Sequence, residues 1–208
     1  MFAEGQIVAC PAIPAMAVRL PRLLALLLVA CVFLCSPKLY AAETGAIEAL
    51  NAQVIEADPG PGFLLDSQFS ISLSDGAKEA LENGVPLVFE LQVQLVRAHR
   101  WLWDAVKVES TQTRNIQYHA ISRSYVVKNI NADTQRNFRQ LSDAMDAVGL
   151  LEGLLLTDGQ PIEAGANYKV RLRGSLDIES LPTPVRLIAY VSSAWDMNSE
   201  WHVWSLDR

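Results

Sequence analysis

From Val85 to Arg97 the chain reads VPLVFELQVQLVR, with Leu87, Phe89, Leu91, Val93 and Leu95 on one parity and the polar Glu90, Gln92 and Gln94 on the other. A period of two sends one set to a core face and the other to water, as in one strand of an antiparallel sheet. The run beginning at Tyr168 repeats the pattern. Tyr168, Val170, Leu172, Leu176 and Ile178 take the inward parity, while Lys169, Arg171, Arg173 and Asp177 take the outward one. Strands are also predicted over 47–56 and 63–72, on either side of the turn signal Asp58-Pro59-Gly60-Pro61-Gly62. Further strands follow over 101–108, 111–121 and 125–128. After Leu181-Pro182-Thr183-Pro184 another is predicted over 185–191, because proline suits a strand entry.

Two stretches switch to helical spacing. Ser74 caps a helix over 75–82 that buries Ala77, Ala80 and Leu81 and stops at Asn83-Gly84. A second helix opens at Asp133 or Thr134, carries Phe138, Leu141, Met145 and Val148 on one face, and ends at Gly149. Many short strands and two short helices define a β-rich α+β fold, an antiparallel β-sandwich-like or strongly bent sheet. No internal repeat interrupts it.

The last alternating run, Trp195 to Trp204, holds three of the five tryptophans. Trp195, Met197, Ser199, Trp201 and Val203 share one parity, and Asp196, Asn198, Glu200 and His202 share the other. This predicts a final half-buried strand in which Trp201 is core. Its truncation would then cost about 3–5 kcal/mol. Trp204 breaks the parity and is the tryptophan expected at the surface.

The first forty residues change the picture. Arg19 and Arg22 precede the uncharged run Leu23 to Cys35, and Ala41-Ala42 follows. That sequence reads as a secretory signal peptide. Thirteen residues make only about 20 Å of helix, against a bilayer core of about 30 Å. Residues 1–42 are therefore an N-terminal extension and leader, with Met16 the expected true start, and residues 43–208 form one β-rich domain exported to the periplasm. Leu28-Val29-Ala30-Cys31 offers a lipoprotein alternative with Cys31 lipidated, although Val32-Phe33-Leu34 prolongs the apolar run where lipoproteins turn polar. An uncleaved anchor is the other alternative, since Leu39 and Tyr40 are bulky beside the cut.

All three cysteines, Cys10, Cys31 and Cys35, lie in this leader, so the domain would have no disulfide and no thiolate chemistry. Removing the leader's three cations and one carboxylate moves the formal charge from −6 to −8. An acidic domain is a poor partner for nucleic acid or anionic membrane.

The segments Gly84-Val85-Pro86-Leu87, Arg100-Trp101-Leu102-Trp103-Asp104, Tyr118-His119-Ala120-Ile121 with Arg123 and Tyr125, and Leu181-Pro182-Thr183-Pro184 stand in order before the terminal tryptophan run. As a series they resemble domain-of-unknown-function family 4390, exported proteobacterial proteins without established activity. The resemblance spans the whole exported chain. Because such proteins are often encoded beside nitrogen-regulation sensor kinases, it implies an accessory to envelope signalling with a sensor kinase as partner. It implies no catalytic residues.

The candidate chemistry is that of a binding surface. His99, Arg100, Trp101, Trp103 and Asp104 could form a cation- and aromatic-lined pocket, or an edge turn with both tryptophans in the core. Lys169, Arg171 and Arg173, joined by Arg186 on a neighbouring strand, form a basic comb that could receive an acidic partner, or an ordinary solvated face. His99, His119 and His202 lack metal-ligand spacing, and His119 belongs to the polar face of its strand. No phosphate loop or nucleophile elbow is present, and no cofactor is implied. A non-catalytic binding or adaptor domain engaging another envelope protein is the expectation. A hydrolase using Asp104, Asp196 or Glu200, or a lipid-tethered structural protein, are the alternatives.

Overall fold

The computed structural model describes residues 44–57, 62–98, 104–157 and 166–206. All of them lie within one compact unit, Ala42–Arg208. Two antiparallel sheets make up most of it. The smaller runs β1 (Ala46–Glu56), β2 (Phe63–Ser72) and β7 (Leu150–Leu156), in that spatial order. The larger takes β3 (Leu87–Arg97), β4 (Ala105–His119), β5 (Ser124–Asn129), β6 (Thr134–Phe138), β8 (Tyr168–Leu176) and β9 (His202–Leu206). Its spatial order is β6-β5-β4-β3-β8-β9, and every pairing is antiparallel. The helices are α1 (Asp75–Glu82), α2 (Leu141–Gly149) and α3 (Thr183–Ala189). The β-rich α+β reading from sequence therefore holds, with three helices among the described residues in place of two.

One apolar cluster joins the sheets. β3 contributes Leu87, Phe89, Leu91 and Val93, all fully buried, and β2 contributes Leu65 and Phe69 opposite them. At β8 the sheets nearly touch. A Cβ placed on Gly174 would lie 2.5 Å from Cγ2 of Ile47, which no side chain at that position could tolerate without movement. Helix α2 carries Ala144, Met145 and Val148 inward and presses its last residue on β2, where a Cβ on Gly149 would stand 2.2 Å from the Phe69 carbonyl oxygen. Helix α1 forms as its sequence dictates. The Ser74 hydroxyl accepts from the Ala77 amide at 3.3 Å, Asp75 sits in the first turn, and Gly84 takes a positive φ just past the end.

Four sequence expectations are corrected. Residues 134–138 form the edge strand β6 rather than a helical turn, pairing Tyr125 with Phe138 and Asn129 with Thr134, so α2 begins only at Leu141. Residues 185–191 are not a strand. Pro184 sits in the first turn of α3, where its missing N–H is no loss, and Leu187, Ile188 and Val191 point outward. The strands expected over 101–108 and 111–121 are one continuous strand from Ala105, and Ile178 opens a 3-10 turn, Ile178–Ser180, instead of extending β8.

The C-terminal run is corrected too, for a reason of register. Trp195, in the 3-10 turn Ser193–Trp195, Met197 and Ser199 are buried as their parity requires. Asn198 bridges Ser175, and the Ser199 amide donates to the Gly174 carbonyl at 2.8 Å. His202, however, pairs with Leu172, one residue out of step with that bridge. The extra residue flips the parity. Trp204 and Leu206 turn toward the core, Val203 is 51% exposed, and Trp201 is only half-buried and outside the core cluster.

These contacts set the expected effect of adding one methyl group. Gly149→Ala should lower the unfolding free energy by about 1–3 kcal/mol, since the Phe69 backbone must move. Gly76→Ala, whose Cβ would meet nothing closer than 3.6 Å, should raise it by up to about 0.5–1 kcal/mol through helix propensity. Urea unfolding of the two variants measures both, and a Gly149→Ala protein as stable as the parent would show that α2 does not bear on β2 this closely.

Candidate functional site

The two sheets diverge where β1 and β9 face each other. Each of these strands has a single hydrogen-bonded neighbour among the described residues, β2 for β1 and β8 for β9. Between them lies a cleft of about 300 Å³. A bulge at Leu50, which shifts the β1 register between Ala49 and Asn51, makes Ala52 and Val54 the inward residues at this end of the strand. They form one wall. Trp204 and Leu206 form the other, Phe63 and Tyr168 lie between them in a T-shaped contact with ring centroids 5.5 Å apart, and Glu56, Ala166 and Ser205 complete the lining. His202 stacks on Trp204 at 6.0 Å, one step along the same face.

The edges of the larger sheet differ in chemistry. At one end β6 reads Thr-Gln-Arg-Asn-Phe, mostly exposed, with the Arg136 guanidinium over the Phe138 ring. Polar and charged side chains of that kind guard an edge against further pairing. At the other end β9 reads His-Val-Trp-Ser-Leu and carries no charged carboxylate or ammonium. Among the described residues no further strand pairs with this uncharged edge.

Of the residues singled out from sequence, His99, Arg100, Trp101 and Trp103 lie outside the described residues. Asp104 is described and meets the basic comb. Its Oδ2 accepts from Nη2 of Arg171 at 2.8 Å and lies 3.7 Å from Nζ of Lys169, so two of the comb's cations share one carboxylate. Arg173 follows on the same face of β8. Arg186 is not beside them, because its segment is helical; it pairs with Glu179 at 3.6 Å. His119 is exposed at the end of β4, as its parity predicts.

The three carboxylates considered for hydrolysis are dispersed over different features. Asp104 belongs to the Lys169–Arg171 cluster, and Glu200 is exposed. Asp196 accepts from the Asn198 amide and lines a cavity of about 500 Å³ with Glu90 and Asp177. Asp177 is engaged by the Glu179 amide and the Ser180 hydroxyl. At the rim of this cavity the Tyr190 hydroxyl donates to Glu179, a bond that holds its pKa above the usual phenol range. Among the described residues no group of three or more His, Cys, Asp or Glu side chains is placed to hold a metal ion, and no helix is long and apolar enough to cross a membrane.

Sequence reasoning missed Phe63, Val54 and Tyr168 as cleft residues, because each reads as ordinary core. It also passed over Arg114. The signal was there: Arg114 shares the parity of the buried Ile116, an arginine on the inward face of its strand.

The model of a family described as a domain of unknown function, DUF4390, matches residues 46–205, and the chain belongs to that family. No curated protein and no solved structure matches it.

The Asp104 cluster is partly solvated, with side chains 23–35% exposed, so its contribution to stability is small. Asp104→Asn should cost less than about 1 kcal/mol. The difference from the parent should vanish near 1 M salt, where the screening length falls to about 3 Å. Thermal melts across a salt series check this; a loss independent of salt would mean that Asp104 acts through packing instead.

Proposed function

We propose that the protein is an exported, non-catalytic binding domain of the periplasm that holds an extended segment of another envelope protein along the free edge of β9. The observation that carries this reading is the uncharged β9 edge, unpaired on its outer side among the described residues, beside a cleft lined in part by aromatic rings. A strand added to such an edge gains main-chain hydrogen bonds along its length. Its alternate side chains point into the cleft, toward the half-buried Trp204 and the Tyr168 and Phe63 rings packed behind it. The guarded edge at β6 argues that the difference between the two ends is not incidental. An acidic domain of this kind favours a partner segment free of excess negative charge. The partner that family resemblance suggests is a sensor kinase, and its extracytoplasmic segment is the first to test.

Peptides of about eight residues selected from a random library against the purified protein provide the probe. Selected peptides are expected to protect amides of residues 202–206 from hydrogen exchange and to alternate apolar and polar positions. Trp204→Ala should weaken their binding at least about tenfold, a loss of about 1.4 kcal/mol typical of a buried aromatic anchor. Protection confined to other strands would overturn the proposal. So would a concentration-dependent dimer paired through β9, which would make a second copy of this chain the occupant.

A further inference from the structure

Arg114 is 6% exposed, lying on β4 between Phe89 of β3 and Asn129 of β5. A buried guanidinium is ordinarily neutralised by a carboxylate. This one is not. Its Nη1 donates to Oδ1 of Asn129 at 2.8 Å and to the Thr113 carbonyl at 3.4 Å, both neutral acceptors. Nη2 and Nε have no partner among the described residues. Burial alone pushes its pKa below the usual arginine value, with no carboxylate acting against that shift.

Arg114 also lines a cavity of about 350 Å³ between the β4-β5-β6 end of the larger sheet and the junction of α2 with β7. Its other polar residues are mainly donors. The Asn129 amide oxygen is already taken by Arg114 and by the Ala132 amide at 3.1 Å, which leaves its NH2 group to face a ligand. Thr134 and Arg136 stand at the exposed rim. Glu152 supplies the one carboxylate there, and it forms no ion pair with either arginine among the described residues. Two guanidinium groups against one carboxylate leave the cavity positive within an acidic protein.

We infer that this cavity is a binding site for a small oxyanion, a phosphate, sulfate or carboxylate, held by Arg114 at its base and Arg136 at its rim. The planar guanidinium presents paired donors that match two oxygens of such a group, and the low local dielectric strengthens each charge-assisted bond. The site lies on the strands away from the β1–β9 cleft and does not depend on what that cleft binds.

Titration of the purified protein with phosphate, sulfate and succinate at low ionic strength, each against matched chloride, tests the inference by amide chemical shifts. Saturable shifts are expected at residues 114, 129 and 136, with a dissociation constant at or below about 1 mM. Binding of phosphate or sulfate without succinate would assign a tetrahedral anion, and binding of succinate without them a carboxylate ligand. Arg136→Gln, an exposed substitution that leaves the fold intact, should weaken binding about threefold to tenfold, the effect of removing one partly screened charge. Arg114→Gln should abolish it. Shifts that never saturate, or that are unchanged in Arg136→Gln, would overturn the site and leave the Arg114 guanidinium to its neutral acceptors Asn129 and Thr113 and to water.

Discussion

The closeness of β1 to β8 governs the rest of the molecule. Gly174 lets the small sheet settle on the large one, since a side chain there would strike Ile47 and press on Phe69 and Leu91. Close approach brings the alternating faces of β2 and β3 into one apolar cluster, and that cluster supplies most of the driving force for folding. It also fixes where the layers part. With β1 laid over β8, the small sheet covers the centre of the large one, α2 packs on β2 and β5, and the β1–β9 side is left with a cleft.

What could be read from the sequence was what is decided locally. β2 and α1 fall where their patterns put them, to the residue, because strict alternation and a serine cap are properties of a few neighbouring positions. β3 and β8 were legible too, each two residues shorter than its pattern suggested. β6 was not, since Thr-Gln-Arg-Asn-Phe has no alternation of its own and becomes a strand by pairing with β5. The stretch at 185–191 misled in the opposite way: valine, isoleucine and leucine favour strands, but Pro184 and the packing of Ala189 make it helical.

Register explains the largest error. The alternation from Trp195 to Val203 is genuine in the sequence, and its first half is honoured by the bridge to β8. A single inserted residue before His202 then exchanges the faces, so that Trp204 and not Trp201 enters the core side. No local pattern announces such an insertion, because it is set by the partner strand. The same kind of shift at Leu50 carries Ala52 and Val54 to the cleft. Trp204, expected at the surface because it breaks that parity, is carried instead to the core side and is half-buried at the cleft. Arg114 was legible as an inward arginine, whereas its lack of a carboxylate partner is a fact of three dimensions.

The account turns on β1 and β9 being free edges beside an open cleft, and residue-resolved hydrogen exchange tests this directly. In an edge strand, alternate amides point away from the sheet and have no acceptor. The amides of residues 202–206 and 52–56 should therefore exchange in a period-two pattern, every second one fast, while those of β3 are uniformly slow. Uniform slow exchange through both edges would mean that the strands are paired on both sides, and that no cleft is open there to receive a partner.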